Sequence, residues 1–287
     1  KQRGGMITVH ATNGDMIDFL IAKNRAEGNL APLYHYLSQP EITEAEASER
    51  FASIAGYTGC PGYIVHMTCE GALNAVRDNN RHNQKVFAET CIQYLLLDAS
   101  LYEQNFDGAK WVMSPPLREK KDQEALWAGI NQGLVQVVAT DHCPFKWEQK
   151  LMGKDDFSKI PNGHPAIEHR VELLFSEGVR KGRITLNKFV EVLSTNPAKI
   201  FGMFPRKGCI APGADADIVL FDPNQEHTIS VDTHHMNTDY SAYEGWKLTG
   251  KCKTVILRGN VVIDEGECLA EKGYGKYIRR NKVSQLI

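Results

Sequence analysis

Short apolar runs rich in β-branched residues recur through the first half of the chain, and stretches with helical spacing separate them. The apolar runs predict strands over residues 6–11, 63–67, 85–91, 110–114 and 135–140. The spacing of apolar positions predicts helices over residues 16–27, 43–55, 71–81 and 123–131, the second opened by a capping box at Thr43. Strands that alternate with helices favour βα units around a parallel sheet, so the expected fold class is α/β.

The hydrophobic pattern changes twice in the second half of the chain. Residues 146–163 are polar and without periodicity, which predicts a long loop in which Lys146, Lys150 and Lys154 are solvated. Helices are predicted over residues 165–181, 186–193 and 196–203. From residue 208 glycine-rich turns separate short strands, one at residues 218–221 and a hairpin at residues 255–263, and residues 266–287 are predicted to be an extended arm.

Composition narrows the class of protein without changing this fold. The chain has 287 residues, of which 42% are hydrophobic and 24% charged, and its formal net charge is -2. A nearly neutral chain lacks the basic footprint of a nucleic-acid-binding protein and the charge that attracts a membrane surface. The apolar runs are shorter than the roughly 20 residues that a membrane span needs. Seven cysteines without a C-x-x-C spacing favour free thiols in a reducing compartment, so a cytoplasmic location is expected.

Three of the predicted strands end in side chains that bind metals. His10 and His66 end the first two strands, and Asp141 ends the strand over residues 135–140. These side chains are expected to converge, because the carboxyl ends of parallel strands meet on one face of such a sheet. Imidazole nitrogen and carboxylate oxygen suit zinc, manganese or iron, and Asp141 could also act as a general base. A single buried histidine is more often a core residue than a ligand, so the metal hypothesis rests on all three together.

Other polar residues near these strand ends have weaker claims. His142 could orient Asp141, and Cys143 could be a nucleophile, although the sequence shows no clear base partner for it. The adjacent His234 and His235 are more simply surface residues. Ser114 precedes two prolines, and the rigid backbone there could turn an amide or carbonyl group towards a ligand.

Eight segments spread along the chain carry a family resemblance. They are Val9-His-Ala-Thr-Asn-Gly-Asp15, Tyr63-Ile-Val-His66, Glu89-Thr-Cys-Ile-Gln-Tyr94, Ser114-Pro-Pro-Leu-Arg118, Thr140-Asp-His-Cys-Pro-Phe145, Ile160-Pro-Asn-Gly163, Gly213-Ala-Asp-Ala-Asp-Ile-Val219 and Gly273-Tyr-Gly-Lys-Tyr277. Together they resemble the dihydropyrimidinase/hydantoinase family of cyclic amidohydrolases. The resemblance runs through essentially the whole chain, and several of the motifs are too long to arise readily by chance.

The resemblance implies a fold. It is the TIM (β/α)8 barrel of the metal-dependent amidohydrolase type, joined to a small β-sandwich domain. Residues 1–207 would be the second half of the barrel, residues 208–265 part of the β-sandwich domain, and residues 266–287 a C-terminal extended tail. The chain would therefore be the carboxyl-terminal part of a longer polypeptide, inactive by itself.

The resemblance also implies a site that holds two divalent metal ions, usually zinc. His10 and His66 match the two histidines that bind the second metal, and Asp141 matches the aspartate that binds the first metal. Ser114 and Asn162 match backbone positions that hydrogen-bond the amide and carbonyl groups of the substrate ring. An H-x-H pair and a carboxylated lysine complete the family's ligand set, and here they are expected upstream of the first residue.

The implied function is hydrolytic opening of a cyclic amide, either a 5,6-dihydropyrimidine or a hydantoin, with Asp141 as general base and acid. Such an enzyme would serve pyrimidine degradation, bind neither nucleic acid nor membranes, and form a homotetramer. Two alternatives stay open: a non-catalytic scaffold similar to the collapsin-response-mediator proteins, and an allantoinase-type cyclic amidohydrolase. Two departures from the family pattern are Thr12, where Glu is usual, and Ile92, where Pro is frequent.

Overall fold

The first part of the chain folds around a four-stranded parallel sheet. The computed structural model describes residues 4–80 and 86–282. The strands are β1 (Ile7–Val9), β2 (Gly62–Ile64), β3 (Val86–Cys91) and β4 (Val137–Ala139), and they neighbour one another in chain order. Helices separate consecutive strands, so the predicted α/β class with a parallel sheet is confirmed.

Burial explains the apolar sequence of β2, β3 and β4, whereas Ile7 in β1 is 56% exposed. Tyr63, Ile64, Val86 and Val138 are each at most 1% exposed. Strands that are covered on both faces read as continuous apolar runs, which is the pattern that identified them. The run over residues 110–114 is a different case, because Asn105–Trp111 forms a 3-10 helix and the following residues belong to no strand. That strand prediction is wrong, and the burial of the segment accounts for its apolar character.

The helices between the strands are α1 (Gly14–Ala26), α2 (Leu33–Leu37), α3 (Glu41–Thr58), α4 (Glu70–Asn80), α5 (Ile92–Leu96) and α6 (Lys120–Asn131). The side chain of Asn13 caps α1 by accepting a hydrogen bond from the amide of Met16 at 3.2 Å. The capping box predicted at Thr43 is wrong, since α3 begins two residues earlier. The hydroxyl of Thr43 instead donates to the carbonyl of Pro40 at 2.8 Å.

The polar stretch over residues 146–163 contains more structure than its sequence predicts. It holds the short helix α7 (Trp147–Lys150) and two 3-10 turns, Leu151–Gly153 and Phe157–Lys159. Lys146 and Lys154 are exposed, as expected. Lys150 is 0% exposed, so the prediction that it is a solvated loop residue is wrong.

The chain divides into two compact units, one with Met6–Arg170 and Ile229–Gly245 and the other with Val171–Thr228 and the residues from Trp246. The predicted boundaries at residues 207 and 265 stay predictions. The helices that follow α7 are α8 (Arg170–Leu174), α9 (Leu186–Val190) and α10 (Asn196–Ile200), and α8 begins five residues later than residue 165. Among the helices that the structure describes, none combines the length and the apolar character needed to cross a bilayer.

The second unit contains an antiparallel sheet of β5 (Ile218–Thr228), β6 (Lys247–Leu257), β7 (Asn260–Asp264) and β8 (Glu267–Cys268). β5 continues past Pro223, where the sequence predicts an end, because irregularities in its pairing with β6 accommodate the proline. The predicted hairpin is confirmed, but its turn lies at Arg258 and Gly259, with φ of 50° and 83°, one residue earlier than the turn expected at Gly259 and Asn260. Positive φ at both central residues is the requirement of a type I′ turn. Residues 269–282 of the predicted arm lack regular structure, and the last five residues lie outside the described range.

Candidate metal and substrate site

The carboxyl ends of the parallel strands position the three predicted metal ligands. His10 directly follows β1, His66 lies two residues beyond β2, and Asp141 lies two residues beyond β4. The backbone is left-handed at two of them, with φ of 42° at His66 and 46° at Asp141. Residues other than glycine rarely adopt this conformation, and where they do the strain often coincides with a functional site.

The structure brings His10 and His66 into direct contact. Nδ1 of His10 lies 2.7 Å from Nε2 of His66, and the two rings meet edge to face at an interplanar angle of 75°. Nε2 of His10 lies 2.9 Å from the hydroxyl of Thr12. This is a hydrogen-bond distance, in which the N–H of one neutral ring donates to the lone pair of the other. The contact therefore brings two imidazoles, a ligand type that zinc takes, together at the ends of β1 and β2, and the rings would have to separate slightly to bind one metal ion.

Burial keeps both rings in the state that binds metals. Desolvation lowers the pKa of His66 to about 3, and the neighbouring His10 lowers it further. Desolvation also lowers the pKa of His10, although its ring is exposed on one side and the charges of Glu44 and Asp141 oppose the shift. Both imidazoles are therefore neutral near pH 7, and a neutral imidazole offers the lone pair that a metal needs.

Asp141 is placed near this pair without completing a three-ligand cluster. Desolvation raises the pKa of its carboxyl group, and the charge of His10 opposes that shift. In residues 4–80 and 86–282, no three His, Cys, Asp or Glu side chains lie close enough together to hold a metal ion. The two histidines and the carboxylate are thus the kinds of ligand that zinc takes, and further groups must complete the set.

Ser114 and Asn162 line one cavity with His10. The cavity has a volume of about 160 Å³, and its wall includes the apolar side chains Ile17, Ile21 and Phe157. The two segments that carry Ser114 and Asn162 are joined directly, because the amide of Gly163 donates to the carbonyl of Val112 at 2.9 Å. A cavity with a few polar groups and an apolar wall is typical of a small-molecule site.

Two further residues of this cavity are absent from the predicted set. Nε2 of His35 lies 2.7 Å from the carbonyl oxygen of Met113, and the amide of Gln39 donates to the hydroxyl of Ser114 at 3.3 Å. Burial lowers the pKa of His35 to about 4, so the ring is neutral and its Nε2 carries the proton that it donates. The only hint in the sequence is the spacing of these two residues, four positions apart, which suits one face of a helical turn.

Glu89 is another functional candidate that the sequence pattern did not identify. Its carboxylate accepts hydrogen bonds from the hydroxyl of Tyr63 at 2.7 Å and from the amide of His66 at 3.4 Å. Desolvation raises its pKa, and the bond from Tyr63 opposes the shift. Glu89 therefore supports the left-handed backbone of His66 from the neighbouring strand. The available signal was a carboxylate inside the apolar strand β3.

The remaining candidates lie apart from this chemistry. Nδ1 of His142 accepts hydrogen bonds from the amides of Ala166 and Ile167, at 3.1 and 3.3 Å, so this ring anchors a backbone segment. Cys143 is a free, exposed thiol. His235 is exposed and lies 2.8 Å from Glu168.

Known proteins with similar sequences place most of this chain in one enzyme family. The model of the amidohydrolase family matches residues 43–262. A D-hydantoinase from Geobacillus stearothermophilus is 47% identical over 289 residues, which cover 100% of this chain and 61% of that protein. A D-phenylhydantoinase from Escherichia coli O1:K1 / APEC is 44% identical over 285 residues, which cover 97% of this chain and 61% of that protein. The chain spans 61% of the length of these two relatives.

Solved structures agree with the fold over nearly the whole chain. A crystal structure of D-hydantoinase has a TM-score of 0.97 and 48% identity, covering 99% of this chain and 62% of that one. The L-hydantoinase (dihydropyrimidinase) from Arthrobacter aurescens has a TM-score of 0.90 and 30% identity, and the match covers 96% of this chain and 61% of that one. These matches confirm the expected amidohydrolase barrel fold, in a family that is generally dependent on two metals. The chain therefore belongs to the amidohydrolase family.

Proposed function

We propose that the protein hydrolyses a ring amide in a 5,6-dihydropyrimidine or a hydantoin. The observation that carries this proposal is the contact of 2.7 Å between the imidazoles of His10 and His66 at the ends of adjacent parallel strands. Relatives named hydantoinase and dihydropyrimidinase support the class of substrate. The cavity beside the two imidazoles supports a small cyclic molecule over a polymer.

His10, His66 and Asp141 would hold divalent metal ions, with zinc as the preferred metal, as part of a larger ligand set. Bound metal would polarise the ring carbonyl and make hydroxide available near neutral pH. Neutral imidazoles suit this role. Burial lowers the pKa of His66 to about 3, so its ring is neutral at neutral pH. The support of Glu89 for the amide of His66 keeps that ring at the strand end.

Asp141 is the proposed general base and acid. Its carboxylate would take a proton from the attacking water and deliver it to the ring nitrogen that leaves. Desolvation raises the pKa of Asp141, which makes the carboxylate a stronger base than a solvated aspartate. Its left-handed backbone holds it at the end of β4, near His10.

Ser114 and Asn162 would bind the ring through backbone groups. An amide and a carbonyl in fixed positions match the alternating carbonyl and N–H groups of a cyclic imide or ureide. Holding the ring at one orientation supplies much of the advantage that a bound substrate has over a free one. The apolar wall of Ile17, Ile21 and Phe157 would contact the carbon side of the ring.

The cellular setting belongs to the proposal as well. All seven cysteines are free thiols, which supports a reducing compartment such as the cytoplasm. A homotetramer with a small cyclic amide as its partner completes the proposal, and the tetramer is what the family resemblance implies.

A ring-opening assay with metal analysis tests this function. The purified full-length protein should open dihydrouracil or hydantoin faster than allantoin, and it should bind about two zinc ions per subunit, as a two-metal hydrolase requires. Treatment with a chelator should abolish activity, and added zinc should restore it. Absence of both metal and hydrolysis would contradict the proposal and support a non-catalytic scaffold instead.

A further inference from the structure

Lys150 is a fully buried cation beside the proposed substrate cavity. It ends α7, its side chain is 0% exposed, and its Nζ donates three hydrogen bonds. The acceptors are the carbonyl oxygens of Val112, Pro161 and Gly163, at 2.9, 2.7 and 2.8 Å. An ammonium group has three protons, so each proton has one carbonyl partner. We call this arrangement the carbonyl cradle.

The carbonyl cradle joins the two segments that carry the proposed substrate contacts. Val112 lies two residues before Ser114, and Pro161 and Gly163 flank Asn162. The direct hydrogen bond from the amide of Gly163 to Val112 ties the same segments together. Neither segment belongs to a strand, so no sheet hydrogen bonds position them. The three hydrogen bonds of Lys150 hold them together instead.

The cradle also sets the direction of a peptide group. In a trans peptide the C=O and N–H bonds point in opposite directions. The bond between Pro161 and Asn162 is not among the cis peptides of the described chain. Because the carbonyl of Pro161 points at the lysine, the N–H of Asn162 points away from it, and Asn162 lines the cavity.

The charge of Lys150 has a defined set of neighbours. Burial lowers its pKa to about 7, whereas Cys143 and the three carbonyl acceptors favour the protonated ammonium form. The positive charge in turn lowers the pKa of the buried His35 and His164. The ring of Phe145 lies 5.5 Å from Nζ. Within the described residues no carboxylate pairs with Lys150, so carbonyl dipoles are its electrostatic partners.

We propose that Lys150 is a positioning residue for the substrate ring, which directs the N–H of Asn162 into the cavity and holds it in register with Ser114. This inference rests on the proposed ring-opening function. The lysine touches no reacting atom, so its loss should weaken ring binding and leave the chemical step nearly intact. A residue that only stabilised the fold would lower the amount of folded enzyme without changing the KM of the folded fraction.

Steady-state kinetics of Lys150→Met in the metal-loaded full-length protein test the proposal. Methionine is similar in length and uncharged, so the three carbonyls lose their donor. We expect KM for dihydrouracil or hydantoin to rise about tenfold, the factor that corresponds to about 1.4 kcal/mol, with kcat within about twofold of wild type. Zinc content should not change, because none of the proposed ligands contacts the lysine.

Lys154→Met is the matched control. Lys154 lies four residues further along the same stretch and is exposed, so the KM of Lys154→Met should equal that of wild type. A wild-type KM in folded Lys150→Met, or an equal rise in both variants, would overturn the proposal.

A measurement on the wild-type protein covers the case in which Lys150→Met does not fold. With 15N at the lysine Nζ, the buried ammonium should give the slowest proton exchange, since Lys150 is the fully buried lysine of the described chain. Its resonance should shift when a carbamoyl amino acid, the ring-opened product, saturates the site as judged by competitive inhibition. An unchanged resonance at saturation would reject the coupling. Failure of the wild-type protein to open any ring would instead reject the proposed function.

Discussion

The two sides of the candidate site are positioned by different means. On one side, His10, His66 and Asp141 follow parallel strands, and the sheet places them. On the other side, Ser114 and Asn162 lie in segments outside the sheet, where buried side chains satisfy the backbone. A strand and its hydrogen-bond ladder can be inferred from a continuous apolar run, but a single buried cation that organises two segments cannot. The difference separates the part of the site that supplies chemistry from the part that holds the ring.

The largest expected effect concerns the strand-end side. Asp141→Asn removes the proposed base and keeps the shape of the side chain, so ring opening should fall by about 10³-fold or more. Asparagine tolerates the left-handed backbone found at Asp141, so the thermal midpoint should change little. The rate with dihydrouracil and the unfolding curve are the two measurements. Retention of most activity would remove Asp141 from the mechanism.

A second prediction concerns the buried ion pair between Arg118 and Glu44. Arg118 and Glu44 are 4% and 2% exposed and lie 3.2 Å apart, and Arg118 also donates to the hydroxyl of Thr68 at 2.9 Å. Arg118→Met leaves the carboxylate of Glu44 buried without its cation, so the free energy of unfolding should fall by about 3–5 kcal/mol. Denaturant unfolding measures the loss.

The control for Arg118→Met is Arg50→Met. Arg50 makes an exposed ion pair with Glu46 at 3.2 Å, and exposed pairs contribute little to stability. Similar losses in the two variants would mean that burial of the pair is not what matters.

A third prediction tests the close approach of the Asn162 segment. Gly163 has φ of 145°, and a Cβ there would lie 2.4 Å from the carbonyl oxygen of Cys143. Gly163→Ala should therefore lower the free energy of unfolding by about 3 kcal/mol and raise KM by displacing Asn162. Gly133→Ala is the matched control, because Gly133 has a positive φ of 74° and open space around it. If both variants lose the same stability, backbone strain and not the contact with Cys143 is responsible.

The smallest expected effect concerns how His164, next to Gly163, changes the stability of the fold in acid. His164 is 1% exposed, its ring nitrogens have no hydrogen-bond partner in the described structure, and burial lowers its pKa to about 4. The unfolded chain, with a histidine pKa of about 6.5, then binds more protons than the folded chain as pH falls from about 6.5 towards 4. His164 should therefore cost about 2 kcal/mol of stability between pH 7 and pH 5.

His164→Leu should remove that part of the acid sensitivity. Urea unfolding of wild type and variant at pH 7 and pH 5 measures it. Wild type should lose about 2 kcal/mol more than His164→Leu over this interval. Equal losses would show that another group, such as the buried His35, carries the acid sensitivity.

The sequence predicted the parallel sheet well because the apolar runs are continuous and β2, β3 and β4 are mostly buried. It predicted the positions of His10, His66 and Asp141 because strand ends are visible in such a pattern. It failed at Lys150, since a lysine in a polar stretch has no local feature that distinguishes burial from exposure. It also missed Glu89 and Gln39, whose roles depend on partners 23 and 75 residues away. The apolar residues near Trp111 were misread as a strand because burial alone, without a ladder, produces the same composition.

The left-handed backbone at His66 and Asp141 has a consequence for protein design. A designer who moves this site to another barrel cannot transfer the imidazole and the carboxylate alone. An ordinary extended strand end would turn both side chains in a different direction, so the tight bend has to be transplanted with them. The host must also bring a counterpart of Glu89 on the adjacent strand, because that carboxylate supports the bend at His66.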